Sequence, residues 1–394
     1  MAAVYLVTGA TGFVGSWCVK TLLDNGCSVR GTVRDPSAQK CDFLRQLKGA
    51  EQRLQLVKAD LLDGEEAWRK VVRGCSVVLH TASPFVVEGV PAGEEEDFFV
   101  KPAVEGTESV IRACIVERVA RVVLTSSLAA IGYGHDGDEG GNPKLTAPGY
   151  DERQWSNLDG LTLPQDMYVK SKTLAEMKAW ELVKNTSVQL CVVNPGLVLG
   201  PFLSLDTSSG SLVVLRALLN KEYPAVPNIP FSCVDVRDVA RMHFLAATSL
   251  AAAGKRFLCV STPVSVSMHE MALSLDAAGF DVPTGQMPEW VLRALALVDA
   301  KVGNVTKSLG QTHYTNAING NELMGGCWID YRTSVKDQAQ SMILAGIGKH
   351  KSADTLMSCL ACAGDGDDED EEEETSRLEY AGVSKSKGLL LTPS

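Results

Sequence analysis

The 394-residue sequence lacks the features that mark several classes of protein. No apolar run is long enough to cross a bilayer, and no cluster of Lys and Arg offers a basic surface to nucleic acid. The 11 Cys and 6 His are scattered, so neither a disulfide framework nor a metal-ligand pattern is present. No charged-then-apolar signal precedes the first apolar segment. We therefore expect a cytoplasmic protein with reduced cysteines that binds neither membranes nor nucleic acid.

Negative charge is concentrated near the C-terminus. The formal net charge is −11, and nine acidic residues lie between Asp365 and Glu374. Such a charge run cannot bury apolar surface, and the segment around it is low in aromatic residues. We therefore predict a disordered acidic tail over residues 349–394 and a nearly neutral folded region before it.

A glycine-rich turn follows the first apolar run of the chain. The segment Thr8–Gly15 has the spacing G-x-x-G-x-x-G and lies between a predicted strand and a run with helical periodicity. This is the context of a dinucleotide-binding site, because a helix N-terminus attracts phosphate groups. Gly9 permits the sharp turn, Gly12 lets the backbone approach the pyrophosphate, and Gly15 lets the helix pack closely on the strand. The predicted phosphate-binding residues are Gly9, Thr11, Gly12, Phe13, Val14 and Gly15.

Strands and helices are predicted to alternate from Met1 to about Asn194, which is typical of a parallel sheet with helices on both faces. We predict a doubly wound α/β sheet of Rossmann type over residues 1–200, completed by about residues 231–248. Residues 201–348 would form a small, mostly helical substrate-binding cap. The predicted strands are Val4–Thr8, Cys27–Val33, Leu54–Lys58, Val77–Thr81, Arg121–Ser126 and Val188–Asn194. The predicted helices between them are Phe13–Asn25, Ser37–Lys48, Glu65–Val72, Phe98–Val116 and Asp166–Lys184.

The end of the second predicted strand indicates which dinucleotide is bound. An NAD-binding protein places an acid there, on the ribose hydroxyls. Arg34 occupies that place and Lys40 follows soon after. A guanidinium binds the 2′-phosphate that an acid would repel, so NADP(H) is predicted in preference to NAD(H). The adjacent Asp35 leaves an alternative open, in which its carboxylate turns toward the ribose.

Two further loops follow predicted strands and should line the cofactor. In the first, Asp60 can accept a hydrogen bond from the adenine amino group. In the second, Thr81 and Ala82 would border the adenosine ribose, and Ser83 continues the same loop. Each of these residues, taken alone, is also compatible with an ordinary loop.

A tyrosine and a lysine lie four residues apart in a predicted helix, so Tyr168 and Lys172 share one face. An ammonium group beside a phenol favours the phenolate, so we expect Lys172 to lower the pKa of Tyr168 toward neutrality for proton transfer. Lys172 can also bind the nicotinamide ribose. A hydroxyl at the end of the fifth strand, from Ser127 or Ser126, would bind the substrate oxygen.

Seven stretches carry a resemblance to a known family: Val7–Trp17, Gly31–Pro36, Lys58–Leu61, Lys101–Thr107, Thr125–Ser127, Tyr168–Glu176 and Asn194–Pro201. They resemble the extended short-chain dehydrogenase/reductases, specifically the dihydroflavonol reductase-like branch of the NAD-dependent epimerase/dehydratase superfamily. The resemblance implies that Ser127 is the catalytic serine and that Arg34 and Lys40 bind the 2′-phosphate. It also implies that Asp60 and Leu61 flank the adenine. The residues that it places beside the nicotinamide are Pro195, Gly196, Leu197 and Val198.

The sequence also departs from the plant members of that branch. Gly132 stands where the flavonoid enzymes have an Asn that binds the hydroxylated ring of the substrate. The N-W-Y-C-Y-G-K pattern of cinnamoyl-CoA reductases is replaced by Gln165–Tyr168. A Gly- and acid-rich insert, Gly132–Gly149, is predicted to be a mobile surface loop. The sequence therefore leaves the substrate open.

Together these motifs predict an NADP-dependent oxidoreductase that reduces an aldehyde or ketone to an alcohol. Tyr168 would donate the proton, Ser127 would orient the carbonyl, and Lys172 would lower the phenol pKa and bind the ribose. Oxidation of an alcohol, as in the hydroxysteroid dehydrogenases, is the same reaction reversed. Two alternatives are a sugar-nucleotide epimerase or dehydratase, against which Arg34 argues, and an NADPH-sensing protein without turnover. We expect a small-molecule substrate and a monomer or homodimer.

Overall fold

The computed structural model describes residues 3–83, 96–135, 149–159, 161, 166–204, 212–295, 309–310 and 312–351. Strands and helices alternate through the first half of the chain. They are β1 (Val4–Thr8), α1 (Phe13–Asp24), β2 (Ser28–Val33), α2 (Asp42–Arg45), α3 (Ala50–Arg53), β3 (Leu54–Lys58), α4 (Glu65–Val72), β4 (Val77–His80), α5 (Lys101–Val116), β5 (Arg121–Thr125), α6 (Asp166–Val183) and β6 (Gln189–Pro195). The elements that follow are β7 (Leu197–Leu199), α7 (Val213–Leu219), β8 (Pro230–Phe231), β9 (Cys233–Asp235), α8 (Val236–Thr248), β10 (Arg256–Cys259), β11 (Val266–Ser267), α9 (Met268–Ala277), α10 (Glu289–Leu295), α11 (Ile318–Met324) and α12 (Tyr331–Leu344).

Seven parallel strands form the central sheet, in the order β10-β6-β5-β4-β1-β2-β3. The chain runs outward from β1 to β3, returns to β4 on the other side of β1, and then runs outward in the opposite direction. Neighbouring strands whose connections leave in opposite directions open a crevice at their carboxyl ends. The predicted doubly wound sheet is therefore confirmed, and its crevice lies at the carboxyl ends of β1 and β4.

Helices cover both faces of this sheet. On one face α1 and α8 pack around Leu22 and Val239, and on the other α4, α5 and α6 pack around Trp68, Ile111 and Ala179. Burial on both faces explains why the inner strands β1, β4, β5 and β6 are mainly apolar instead of alternating. Among the described helices, none combines the length and apolarity needed to span a membrane.

Two details differ from the sequence-based expectation. Residues 231–248 do not complete the main sheet: β9 pairs with β7 in a separate small sheet, and β10 completes the main sheet beside β6. The predicted helix Ser37–Lys48 is reduced to a 3₁₀ turn, Gln39–Cys41, and the single turn α2. The carboxylate of Asp35 accepts hydrogen bonds from the N–H and the hydroxyl of Ser37 in the turn that precedes these residues.

A second apolar core lies beyond the main sheet, within the range assigned from the sequence to a cap. It is formed by α7, α9 and α12 around Leu215, Met271 and Val335. Residues 349–351, which were assigned from the sequence to the tail, contact this part of the chain. The backbone of His350 forms an isolated β-bridge with that of Phe280, and the side chain of Lys351 forms an ion pair with α9. The acidic run and residues 136–148 of the predicted insert lie outside the described residues.

Candidate active site

The predicted site residues lie at one edge of the sheet. The strands β1 to β6 are parallel, so the loops that follow them meet at their common carboxyl edge. The predicted residues lie in these loops, at the start of α1, at the start of β7, or on α6. Within the described part of the chain, no group of three or more His, Cys, Asp or Glu is placed to hold a metal ion.

The glycine turn brings the end of β1 close to the start of α1. Gly9 has a φ of +65°, a conformation that L side chains rarely adopt, and its N–H donates to Thr32 Oγ1 at 3.0 Å. Gly12 donates to the Gly9 carbonyl at 2.9 Å and precedes the first residue of α1, Phe13. A Cβ added to Gly15 would lie 2.3 Å from the Gly9 oxygen. Because glycine allows this close approach, the first-turn N–H groups of α1 are presented at the crevice.

A group of cations lies at the end of β2. Arg34 is exposed just beyond the strand, and Lys58 ends the neighbouring strand β3. Hydrogen bonds from Ser37, with smaller contributions from the charges of Lys58 and Lys40, lower the pKa of Asp35. The carboxylate of Asp35 is thus engaged by Ser37, and turning it toward a ribose would require breaking two hydrogen bonds.

The loop after β3 has a local structural role. Asp60 Oδ1 accepts a hydrogen bond from the N–H of Leu62 at 3.1 Å. Leu61 packs on α5, where a Cβ added to Gly106 would lie 2.4 Å from Leu61 Cγ. The loop is therefore held against α5 at the carboxyl edge of the sheet.

The loop after β4 is attached to the glycine turn. Thr81 Oγ1 donates to the Thr8 carbonyl, and the N–H of Ala82 donates to Thr8 Oγ1 at 3.0 Å. A Cβ added to Gly9 would lie 3.2 Å from the Ala82 Cα. The structure therefore brings Thr81 and Ala82 beside the proposed phosphate-binding turn.

Ser127 lies near enough to the phenol of Tyr168 on α6 to lower its pKa as a hydrogen-bonding neighbour. Ser127 follows β5 and begins a 3₁₀ turn, Leu128–Ala130, in which its Oγ accepts from the N–H of Ala129 at 3.1 Å. The adjacent Ser126 is engaged elsewhere, because its hydroxyl donates to the buried Glu176 carboxylate at 2.6 Å. Of the two serines, Ser127, which the family resemblance selected, is the neighbour of Tyr168.

Lys172 lies one turn after Tyr168. Its Nζ is 5.8 Å from the centroid of the Tyr168 ring and donates to Ser83 Oγ at 2.9 Å. Burial lowers the pKa of Lys172 to about 8, so the side chain is still mainly charged at neutral pH. The hydrogen bond also attaches α6 to the loop after β4.

The pKa of Tyr168 differs from the expectation drawn from the spacing. Burial raises it above the ordinary value for a phenol, and the hydrogen bond with Ser127 only partly opposes this effect. In the protein alone, Lys172 does not produce the expected lowering of the Tyr168 pKa. Its ammonium group lies nearly 6 Å from the ring and is bound to Ser83.

The segment Pro195–Val198 joins β6 to β7 and is fixed by neighbouring backbone. The N–H of Gly196 donates to Cys259 O at 3.1 Å, and the N–H of Leu197 donates to Ser232 O at 2.7 Å. A Cβ added to Gly196 would lie 2.0 Å from the Ser232 oxygen. The segment is therefore held in one position, at the same edge of the sheet as the serine–tyrosine pair.

Three residues at this edge were not singled out from the sequence as site residues. Lys58 lies near Arg34 because of the register in which β3 pairs with β2. The sequence gives no signal for that register. Tyr133 packs near Tyr168, and burial, together with that neighbouring phenol, raises the pKa of Tyr133 to about 12. Glu176 follows Lys172 by four positions, so helical periodicity already places it on the face that carries the Y-x-x-x-K pair.

Known proteins with similar sequences or structures point to one family. Cinnamoyl-CoA reductase 1 of Petunia hybrida is 40% identical over 259 residues, which cover 66% of this chain and 73% of that protein. Tetraketide alpha-pyrone reductase 1 of Arabidopsis thaliana is 37% identical over 279 residues, covering 70% and 82%. Gre2 of Candida albicans, solved with NADPH, matches with a TM-score of 0.69 and 26% identity over 87% of this chain and 99% of that one. The sequence model of the 3-beta hydroxysteroid dehydrogenase/isomerase family matches residues 6–275. The chain therefore belongs to this family of oxidoreductases, within the extended short-chain dehydrogenase/reductases.

Proposed function

We propose that this chain reduces the carbonyl group of an aldehyde or ketone to an alcohol with NADPH, in a reversible reaction. The observation that carries the proposal is the placement of Tyr168 near Ser127, with Lys172 one helical turn away, at the edge of the sheet that also bears the glycine turn. Two relatives are named as reductases, and Gre2 was solved with NADPH. These names support a reduction over an epimerisation.

The residues at the carboxyl edge fit NADPH. The close contact of Gly15 with the Gly9 carbonyl presents the start of α1 to a pyrophosphate. Arg34, Lys40 and Lys58 supply positive charge for a 2′-phosphate, which supports a preference for NADPH over NADH. When bound, NADPH supplies the hydride for the carbonyl carbon. The other residues proposed to line the cofactor are Thr11, Gly12, Phe13, Val14, Asp60, Leu61, Thr81, Ala82, Ser83, Pro195, Gly196, Leu197 and Val198.

Three side chains of this chain handle the proton and the substrate oxygen. The hydroxyl of Ser127 binds and orients the carbonyl oxygen, and the phenol of Tyr168 donates its proton to that oxygen. With the transferred hydride, this proton converts C=O to CH–OH and leaves a phenolate, which regains a proton from solvent. The ammonium group of Lys172 stabilises the phenolate and binds the nicotinamide ribose. Because burial raises the pKa of Tyr168, its phenol stays protonated at neutral pH, as a proton donor requires.

A carbonyl screen tests the proposal. Oxidation of NADPH is followed with aliphatic and aromatic aldehydes, ketones and cinnamoyl-CoA, beside NADH and beside the reverse reaction of NADP⁺ with secondary alcohols, including 3β-hydroxysteroids. Replacing Tyr168 with Phe should lower kcat by about 10²–10⁴-fold, because the proton donor is lost. The proposal fails if no carbonyl is consumed, or if Tyr168→Phe turns over like the wild type.

The same preparation separates the rival functions. A sugar-nucleotide epimerase or dehydratase would retain tightly bound NAD through purification. An NADPH sensor would bind NADPH, with no turnover of any carbonyl in the screen. Either result would replace the reductase assignment.

A further inference from the structure

We propose that Glu176 is a positioning residue of this site, which holds Ser127 in contact with Tyr168 through a buried polar network. The inference rests on the proposed reductase function, because it assigns a role within the same site. Within the described residues, the side chain of Glu176 on α6 forms no hydrogen bond with Ser127 or Tyr168.

Glu176 is fully buried and pairs with four donors. Its Oε2 accepts from the Ser126 hydroxyl at 2.6 Å and from the Asn194 amide at 2.8 Å. Its Oε1 accepts from the Arg256 guanidinium at 2.6 Å and from the Trp180 indole N–H at 3.2 Å. A buried carboxylate is tolerated only when it is charge-paired and hydrogen-bonded. The network therefore fixes the orientation of each partner side chain.

Two of these partners reach the turn that carries Ser127. The amide of Asn194 donates a second hydrogen bond, to the backbone carbonyl of Ser127, at 3.1 Å. Arg256 donates to the carbonyl of Ala130 at 3.2 Å, at the far end of the same 3₁₀ turn. The two donors hold the turn at both ends, and Glu176 holds both donors.

Glu176 also belongs to the helix that carries the other half of the site. It lies one turn after Lys172 and two turns after Tyr168 on α6. Ser127 and Tyr168 come from different elements, so their contact requires a fixed separation between the turn after β5 and α6. Because Glu176 connects α6 to the supports of that turn, the network sets this separation.

Replacement of Glu176 by Gln disturbs this geometry without changing any side chain that is proposed to touch the substrate. In the variant, an amide NH₂ group replaces one carboxylate oxygen. The side chains that donated to that oxygen then face another donor. Arg256 also loses its counter-charge, and an unpaired buried charge forces its neighbours to rearrange. A displacement of about 1 Å at a reacting group can lower a rate about 10²-fold.

The test compares Glu176→Gln with Glu181→Gln. The control makes the same change on the same helix, where Glu181 is exposed and pairs with Lys178 at 2.8 Å. We expect Glu176→Gln to lower kcat of carbonyl reduction about 10- to 100-fold and to leave KM for NADPH within about threefold of the wild-type value. Glu181→Gln should change neither quantity.

A second readout needs no turnover. The ¹³C NMR resonance of Tyr168 Cζ, assigned by its loss in Tyr168→Phe, reports the interaction of the phenol with Ser127. Glu176→Gln should move this resonance toward its position in Ser127→Ala, and Glu181→Gln should leave it unchanged. If Glu176→Gln does not fold, Asn194→Ala should give the same shift, because it removes the link to the Ser127 backbone and keeps the ion pair with Arg256.

The outcomes separate this proposal from the reductase function. Wild-type kcat and a wild-type resonance in Glu176→Gln, or in Asn194→Ala where the first variant does not fold, would overturn the positioning role. If the wild-type protein turns over no carbonyl and the resonance still moves in Glu176→Gln, the reductase function fails and the positioning role stands.

Discussion

Ser127, in the turn after β5, lies near the phenol of Tyr168 on α6 and lowers its pKa. We expect Ser127→Ala to lower kcat of carbonyl reduction by about 10²-fold or more, because the substrate oxygen loses its orienting donor and Tyr168 loses its partner. Steady-state kinetics with NADPH and the best carbonyl from the screen measures this loss.

Ser341→Ala provides the control for that measurement, since Ser341 lies on α12 and its hydroxyl bonds to the Asp337 carbonyl of its own helix. It should retain wild-type kcat. Equal activity in Ser127→Ala and Ser341→Ala would contradict the role given to Ser127.

The charge of Lys172 should govern the alkaline side of the pH profile. Its pKa is lowered to about 8, so the fraction of charged side chain falls as the pH rises through that value. We expect kcat/KM for NADPH, which reports groups of the free enzyme, to decrease above about pH 8. Lys172→Arg keeps a positive charge at every accessible pH and should move this decrease to higher pH, although its overall activity is lower.

Lys178→Arg is the matched control for the pH profile, because Lys178 lies on the same helix and pairs with Glu181. Its pH profile should coincide with that of the wild type. A decrease near pH 8 that persists unchanged in Lys172→Arg would assign this titration to another group.

The positive charge of Arg34 should set the preference between the two dinucleotides. Loss of a charge-assisted hydrogen bond costs about 1.5–3 kcal/mol, so Arg34→Ala should lower kcat/KM for NADPH about 10- to 150-fold. NADH has no 2′-phosphate, so its kcat/KM should change little. Comparison of the two cofactors in each variant measures the preference directly.

Arg112→Ala serves as its control, because Arg112 is exposed on α5 and pairs with Glu108 of the same helix. It should leave the ratio of the two cofactors unchanged. An equal loss of kcat/KM with NADPH and NADH in Arg34→Ala would show that Arg34 supports the fold and does not bind the 2′-phosphate.

Much of the sheet was predictable from the sequence, because its strands are short apolar runs separated by helical segments. The bounds of β1 and β3 agree with those predicted. The pairing of β7 with β9 was not predictable, since two three-residue strands give no periodic signal and meet only through distant packing. The wrong assignment of residues 231–248 to the main sheet follows from the same limitation.

Within the site, local spacing placed Tyr168 and Lys172 on one helical face, and the structure has them there. It did not give the pKa of Tyr168, which depends on burial by residues from other elements. It also did not distinguish Ser126 from Ser127, because that distinction depends on Glu176, a residue far along the chain. Contacts between distant segments therefore determine properties of the site that the spacing of the local motif does not predict.

Gly15 provides the sharpest test of the cofactor-binding turn. A Cβ at this position would lie 2.3 Å from the Gly9 carbonyl oxygen, so Gly15→Ala must push α1 away from the turn. Such overpacking costs about 1–3 kcal/mol and should lower Tm by several degrees. The dissociation constant of NADPH, measured by fluorescence titration, should rise about tenfold or more, because the displaced N–H groups no longer meet the pyrophosphate. Gly285→Ala, where the added methyl has no atom within 4 Å, should change neither quantity. Wild-type affinity in Gly15→Ala would show that NADPH does not bind at this turn.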